Sequence, residues 1–262
     1  MAHELPAVLI TGASTGIGAT YADRFARRGH DLVLVARDEM RLREVASRLE
    51  RETSARIDIV KADLTSPADL ARVETRLRED EKIGILVNNA GAAAPGGFAE
   101  QDSDALDRLI RLNVTALTRL TSAVTPRYLR QGGGAIINIA SVLALIPEYP
   151  LGVYGATKAY VLTLSQSLQN ELGPRGVYVQ AVAPAATHTE IWERSGRDVN
   201  QLSGVMDVND MVDAALAGFD RREPVTFPSL PEVKLWEALE GARKALTPNF
   251  FNARPAARYL AG

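Results

Sequence analysis

Tyr154 and Lys158 lie four residues apart in a stretch with helical spacing, so they stack on one face of a helix. An ammonium close to a phenol favours the phenolate and lowers its pKa from about 10. A tyrosine tuned in this way can act as an acid or base near neutrality. Ser141 directly follows a β-rich apolar run, at the carboxyl edge where open α/β sheets bind ligands. Asn113 sits at i+7 on a helical stripe that runs through Leu106, Leu109, Ile110, Leu117 and Leu120. A buried amide has to be satisfied by partners. Each residue taken alone has a plain alternative: a chance Tyr–Lys pair, a turn-forming serine, a core asparagine bonded to local backbone.

The turn Thr11-Gly12-Ala13-Ser14-Thr15-Gly16-Ile17-Gly18 follows the first apolar run and opens a helix. Glycines there let the backbone approach a diphosphate, and the helix N-terminus supplies N–H donors and partial positive charge. The spacing is GxxxGxG, and no Gly-Lys-Ser/Thr follows as in a Walker loop. Ala36 and Arg37 stand where a carboxylate would read a ribose 2′-hydroxyl. An arginine fork suits a 2′-phosphate instead, which predicts NADP(H) over NAD(H). The alternative is a solvated arginine paired with Asp38 or Glu39.

Composition narrows the remaining chemistry. With no cysteine there are no disulfides, thiolate nucleophiles, iron–sulfur clusters or thiolate zinc sites. His3, His30 and His188 are far apart and form no metal-binding pair, so no metal is expected. A net charge of −2 gives no basic field for a nucleic acid. The longest apolar stretch, Val142 to Pro147, is far short of the roughly 20 residues a membrane span requires. No leader pattern is visible at the start, and a cytoplasmic location is expected.

The elements that must hold these groups alternate along the chain. Ala7–Ile10, Asp31–Ala36, Ile57–Lys61, Ile83–Asn88, Ala135–Ala140 and Val177–Ala183 read as buried strands. Helices are expected at Ala19–Arg28, Met40–Arg51, Pro67–Glu79, Asp102–Arg130 and Val153–Leu172. The pattern predicts one α/β domain, a doubly wound parallel Rossmann sheet with helices on both faces. Residues 190–220 are expected as a substrate lid region. From Arg221 the character changes: five of thirteen prolines lie beyond it, and a covering segment with one helix near Pro231–Leu246 is expected.

In order and spacing, Thr11-Gly12-xxx-Gly16-x-Gly18, Asp63-Leu64, Asn88-Asn89-Ala90-Gly91, Asn113, Ser141 and Tyr154-xxx-Lys158 resemble the short-chain dehydrogenase/reductase family over about residues 6–190. Within it, the chain looks most like bacterial NADPH-dependent carbonyl reductases and alcohol dehydrogenases. The resemblance implies that Tyr154 exchanges the proton with the substrate oxygen and that Ser141 orients that oxygen. It implies that Lys158 tunes Tyr154 and holds the nicotinamide ribose, while Asn113 holds a water that relays protons to Lys158. Asp63 and Leu64 would bind at the adenine, and Asn89, Ala90 and Gly91 along the adenosine. Pro184, Ala185, Thr187 and Thr189 would border the nicotinamide, with Ala185 where the family usually has glycine. The nicotinamide itself carries the hydride.

Substrate residues follow from the apolar run after Ser141, namely Val142, Leu143, Tyr149 and Leu151, and from Trp192 in the lid. An apolar lining predicts a hydrophobic ketone or secondary alcohol. A β-ketoacyl-carrier-protein reductase is the rival enzyme, and a non-catalytic nucleotide sensor the rival of another class. The apolar second long helix predicts a homodimer or homotetramer.

Overall fold

Strands that alternate inward and outward residues must be covered on both faces when both sets are apolar, and that condition shapes this molecule. A computed structural model describes residues 5–93, 96–149, 151–190, 199 and 202–260. Its contacts divide into two compact units, Met1–Pro228 and Ser229–Gly262.

The first unit holds a seven-stranded parallel sheet: β1 (Ala7–Thr11), β2 (Leu32–Ala36), β3 (Ile57–Lys61), β4 (Ile83–Asn88), β5 (Gly134–Ile139), β6 (Val177–Val182) and β7 (Val225–Thr226). The order is β3-β2-β1-β4-β5-β6-β7. The chain reverses direction of growth between β1 and β4, which makes the gap beyond their carboxyl ends the ligand crevice of such a sheet. Helices α1 (Gly16–Arg27), α2 (Glu39–Glu52) and α7 (Val208–Asp220) cover one face. There Val8 and Ile10 of β1 pack with Tyr21, Phe25, Leu42 and Met211. Helices α3 (Pro67–Glu79), α5 (Leu117–Gln131) and α6 (Gly152–Leu172) cover the other, where Leu9 meets Val73, Leu120 and Leu172.

Three departures from the sequence reading have physical causes. β7 pairs with β6 at Ala181–Val225 and Val182–Thr226, so Val225–Thr226, within the expected covering segment, complete the sheet. A two-residue strand among prolines carries almost no periodic signal. The helix expected over 102–130 is α4 (Ser103–Ile110), a π-helical turn Arg111–Ala116, then α5. The wide turn encloses Asn113, and π-turns recur where a helix re-aims a side chain. Finally, α1 begins at Gly16 inside the glycine turn rather than at Ala19.

The second unit contains α8 (Val233–Leu246), whose Leu235, Leu239 and Leu246 form one exposed apolar stripe. Residues 191–198, and with them Trp192 and most of the expected lid helix, lie outside the described residues.

Candidate active site

Thr11 ends β1 and locks the glycine turn to the end of β4. Its hydroxyl donates to the Val87 carbonyl at 3.3 Å and accepts from the amides of Asn89 and Ala90, both at 3.0 Å. The Asn89 side-chain amide donates to the carbonyls of Thr11 (2.8 Å) and Gly12 (3.2 Å). This packing leaves no room for side chains. A Cβ on Gly18 would stand 2.3 Å from the Gly12 oxygen, and Gly12 itself has φ +66°. The glycines are therefore explained by close approach and by a left-handed backbone.

The turn delivers Gly16, Ile17 and Gly18 into the first turn of α1 behind Ser14 and Thr15. Thr15 is the N-cap, yet its side chain caps none of the helix amides. Those first-turn N–H groups point out of an uncapped helix start, the donor set that an anionic diphosphate requires. Farther along the carboxyl edge, a cleft of about 320 Å³ is lined by Arg37, Lys61, Asp63, Asp69 and Arg72. Arg37 is exposed at its rim. Asp63 caps its own turn, accepting from the Thr65 amide (2.9 Å) and hydroxyl (2.7 Å). The Leu64 side chain is buried in the core and packs rather than lines.

The second half of the site lies where β5 ends. Ser141 caps the short helical turn Val142–Ala144, accepting from the Leu143 amide at 3.2 Å and donating to the Pro184 carbonyl at 3.4 Å. Tyr154 and Lys158 come from the first turns of α6, and the Lys158 ammonium lies 5.6 Å from the Tyr154 ring centre. Lys158 is buried and donates to the Ile139 carbonyl at 2.8 Å. An ammonium has three N–H donors, so two remain for other acceptors. Burial lowers the Lys158 pKa to about 8. Burial likewise pushes Tyr154 up to about 12, opposed only by the Ser141 hydroxyl.

The electrostatics thus differ from the sequence expectation. Burial shifts both groups towards their neutral forms, raising the Tyr154 phenol and lowering the Lys158 ammonium.

Asn113 is buried, and its side chain pairs with the backbone of Ala92 as a strand would. It accepts from the Ala92 amide and donates to the Ala92 carbonyl, both at 2.9 Å. It also donates to the Thr157 hydroxyl (3.1 Å), which donates to the Tyr154 carbonyl (2.7 Å). Gly91 passes close by, where an added Cβ would lie 3.3 Å from the Asn113 oxygen and 3.5 Å from Lys158 Nζ.

Behind these groups runs a polar ladder that the sequence reading passed over. Asn88 donates to Thr121 (3.0 Å) and to Asn138 (2.9 Å), and Asn138 donates to Ser165 (2.9 Å). It ties β4, β5, α5 and α6 together one residue before Ile139. Two asparagines at the ends of apolar strands were the signal. Thr157 was missed too, hidden between Tyr154 and Lys158.

On the facing side, the Val142 amide donates to Pro184 at 3.0 Å and the Thr187 hydroxyl to Ala185 at 3.1 Å. Ala185 keeps a negative φ, so its methyl is accommodated without left-handed strain. Thr189 packs against the position of a Gly16 Cβ at 3.1 Å. Past Ser141, Val142 and Leu143 are partly buried, Leu151 is buried, and Leu145, Ile146 and Tyr149 are exposed. No group of His, Asp and Glu fit to hold a metal occurs among the described residues. No helix among them is long and apolar enough to cross a membrane.

The sequence matches the family model described as short chain dehydrogenase over residues 6–200. Among solved structures, a short-chain dehydrogenase from Sphingobium yanoikuyae in complex with NADPH is 61% identical, with TM-score 0.96, covering 97% of this chain and 100% of that one. A bulky-bulky ketone specific alcohol dehydrogenase from Comamonas testosteroni is 55% identical, with TM-score 0.92, covering 98% of this chain and 100% of that one. An uncharacterized oxidoreductase of Staphylococcus saprophyticus is 34% identical over 209 residues, 79% of this chain and 88% of its own.

Proposed function

The chain belongs to the short-chain dehydrogenase family, and from that premise we propose that it is an NADP(H)-dependent oxidoreductase reducing hydrophobic, bulky ketones to secondary alcohols. The reaction is reversible. The observation that carries this reading is the meeting of the Tyr154 phenol, the Ser141 hydroxyl and the Lys158 ammonium at the carboxyl end of β5.

The residues present fit a dinucleotide. The uncapped start of α1 suits the diphosphate, Lys158 has donors left for the ribose hydroxyls, and Arg37 at the cleft rim suits a 2′-phosphate. The nicotinamide supplies the hydride. The protein's part is to orient the carbonyl oxygen through Ser141 and to donate its proton from Tyr154. Both ends of the Asn113 side chain are bonded, so a water relaying protons to Lys158 would sit at its main chain; the side chain instead steadies Thr157 and the turn that carries Tyr154.

Substrate size follows from the apolar segment after Ser141, with Leu145, Ile146 and Tyr149 exposed and, among the described residues of that segment, no arginine to meet a carboxylate or phosphate. The Comamonas testosteroni enzyme's specificity for bulky-bulky ketones supports the same class. We place the protein in the cytoplasm as a homodimer or homotetramer, with exposed Ile110 and Tyr160 on the faces that would pair; light scattering tests the assembly. Oxidation of NADPH followed at 340 nm with an aryl ketone, a β-keto ester and a carrier-protein thioester tests the function. Turnover of the aryl ketone is expected; turnover of the thioester alone would replace this reading with an acyl-chain reductase.

A further inference from the structure

Glu190 stands one residue past Thr189, whose side chain lies where a Cβ on Gly16 at the start of α1 would meet it. Just before it, Thr187 pairs with Met206, and the His188 amide donates to the Met206 carbonyl at 2.9 Å. Residues 187–190 are thus anchored at one end and lie over the helix start where a diphosphate would sit. Glu190 then reaches across to α2. Arg41 Nη1 donates to Glu190 Oε2 at 2.6 Å, joining residues 149 positions apart. Arg41 has a local carboxylate, Asp38, at 3.4 Å, yet its short bond goes to the distant partner. It lies in the first turns of the helix that begins two residues after Arg37.

We propose that Arg41 and Glu190 form a latch across the dinucleotide cleft, whose opening sets how fast the dinucleotide leaves. The inference rests on the NADP(H) reading above. One side of the ring is the glycine turn and α1, the other is residues 187–190, and the ion pair closes it at α2. Both residues are positioning residues, outside the reacting atoms. The pair joins α2 to residues 187–190 beside the start of α1, which would hold the diphosphate that NADPH and NADH share, so the latch would act on both. Its side chains are 43% and 38% exposed, so the pair is salt-sensitive and moderate in strength.

The test is stopped-flow release: protein loaded with reduced dinucleotide is chased with excess oxidised dinucleotide, and the loss of nicotinamide fluorescence gives the off-rate. Glu190→Gln and Arg41→Gln should each speed release of NADPH and NADH by about three- to tenfold. The exchanged pair, Arg41→Glu with Glu190→Arg, should return to near the wild-type rate. Higher ionic strength should speed the wild type and leave the glutamine variants unmoved. Unchanged rates in the single variants would overturn the latch, as would failure of the exchange. An effect of Arg41→Gln confined to NADPH would also overturn it and make Arg41 a 2′-phosphate reader. Absence of NADPH binding to the wild type would instead remove the cofactor reading, and the latch with it.

Discussion

The Lys158 ammonium donates to the main-chain oxygen of Ile139 at 2.8 Å, tying the first turns of α6 to the last residue of β5. Ser141 lies two residues beyond Ile139, and Tyr154 one helical turn before Lys158. A single bond therefore sets the spacing between Ser141 and Tyr154, the groups proposed to orient and to protonate the substrate oxygen.

That lysine should make the proposed reduction depend on pH. Burial places its pKa near 8, below the ordinary lysine value, so its charge is present at neutral pH and lost as pH rises through about 8. Ketone reduction, measured as kcat/KM across pH, should fall on that alkaline limb. Lys158→Met should be slow at every pH and should lack the limb.

Removing Asn113 should slow catalysis without direct contact with the substrate. Asn113→Ala leaves the amide and carbonyl of Ala92 and the Thr157 hydroxyl short of partners. A loss of about 1–3 kcal/mol in stability and about tenfold in kcat is expected, with the NADPH Kd within about twofold. Thermal unfolding and steady-state kinetics on one preparation check both.

Arg37→Asp replaces a cation with an anion at the rim of the cleft formed with Lys61 and Arg72. The ratio of kcat/KM with NADPH to that with NADH should fall by about a hundredfold or more. An unchanged ratio would remove Arg37 from the 2′-phosphate site.

Acid stability should report on α1. Burial raises the Asp23 pKa, but bonds from Arg27, Arg48 and Arg24 outweigh it and bring the carboxyl down to about 2. A carboxylate with a depressed folded pKa stabilises the fold above its unfolded value near 4, and that contribution disappears as pH falls towards 2. Denaturant unfolding of Asp23→Asn against wild type should show about 1–2 kcal/mol of difference at pH 7, vanishing near pH 2.

The strands were legible because residues on both faces of β1, β2 and β4 are apolar, and a buried parallel strand has no other signature. The start of α3 was equally plain: Ser66 accepts from the Asp69 amide, and Pro67 fills the first turn. The glycine turn, Ser141, Tyr154 and Lys158 were recognisable by type and spacing, and the fold brings them to one edge. The π-turn at Asn113 was not legible, since an apolar stripe at i, i+3 and i+4 continues through a one-residue insertion by shifting phase. The upward shift of Tyr154 was not legible for a different reason. Spacing gives the distance between a phenol and an ammonium, whereas burial, which decides the pKa, depends on residues from other elements. Arg41 and Glu190 were invisible as a pair because only the fold joins them.

Tyr154 is the proposed proton donor in ketone reduction. The most direct measurement is kcat for a bulky aryl ketone with Tyr154→Phe, taken beside the NADPH Kd of the same preparation. A fall of about 10²- to 10⁴-fold in kcat, with Kd within about threefold, is predicted. Turnover at the wild-type rate would contradict it.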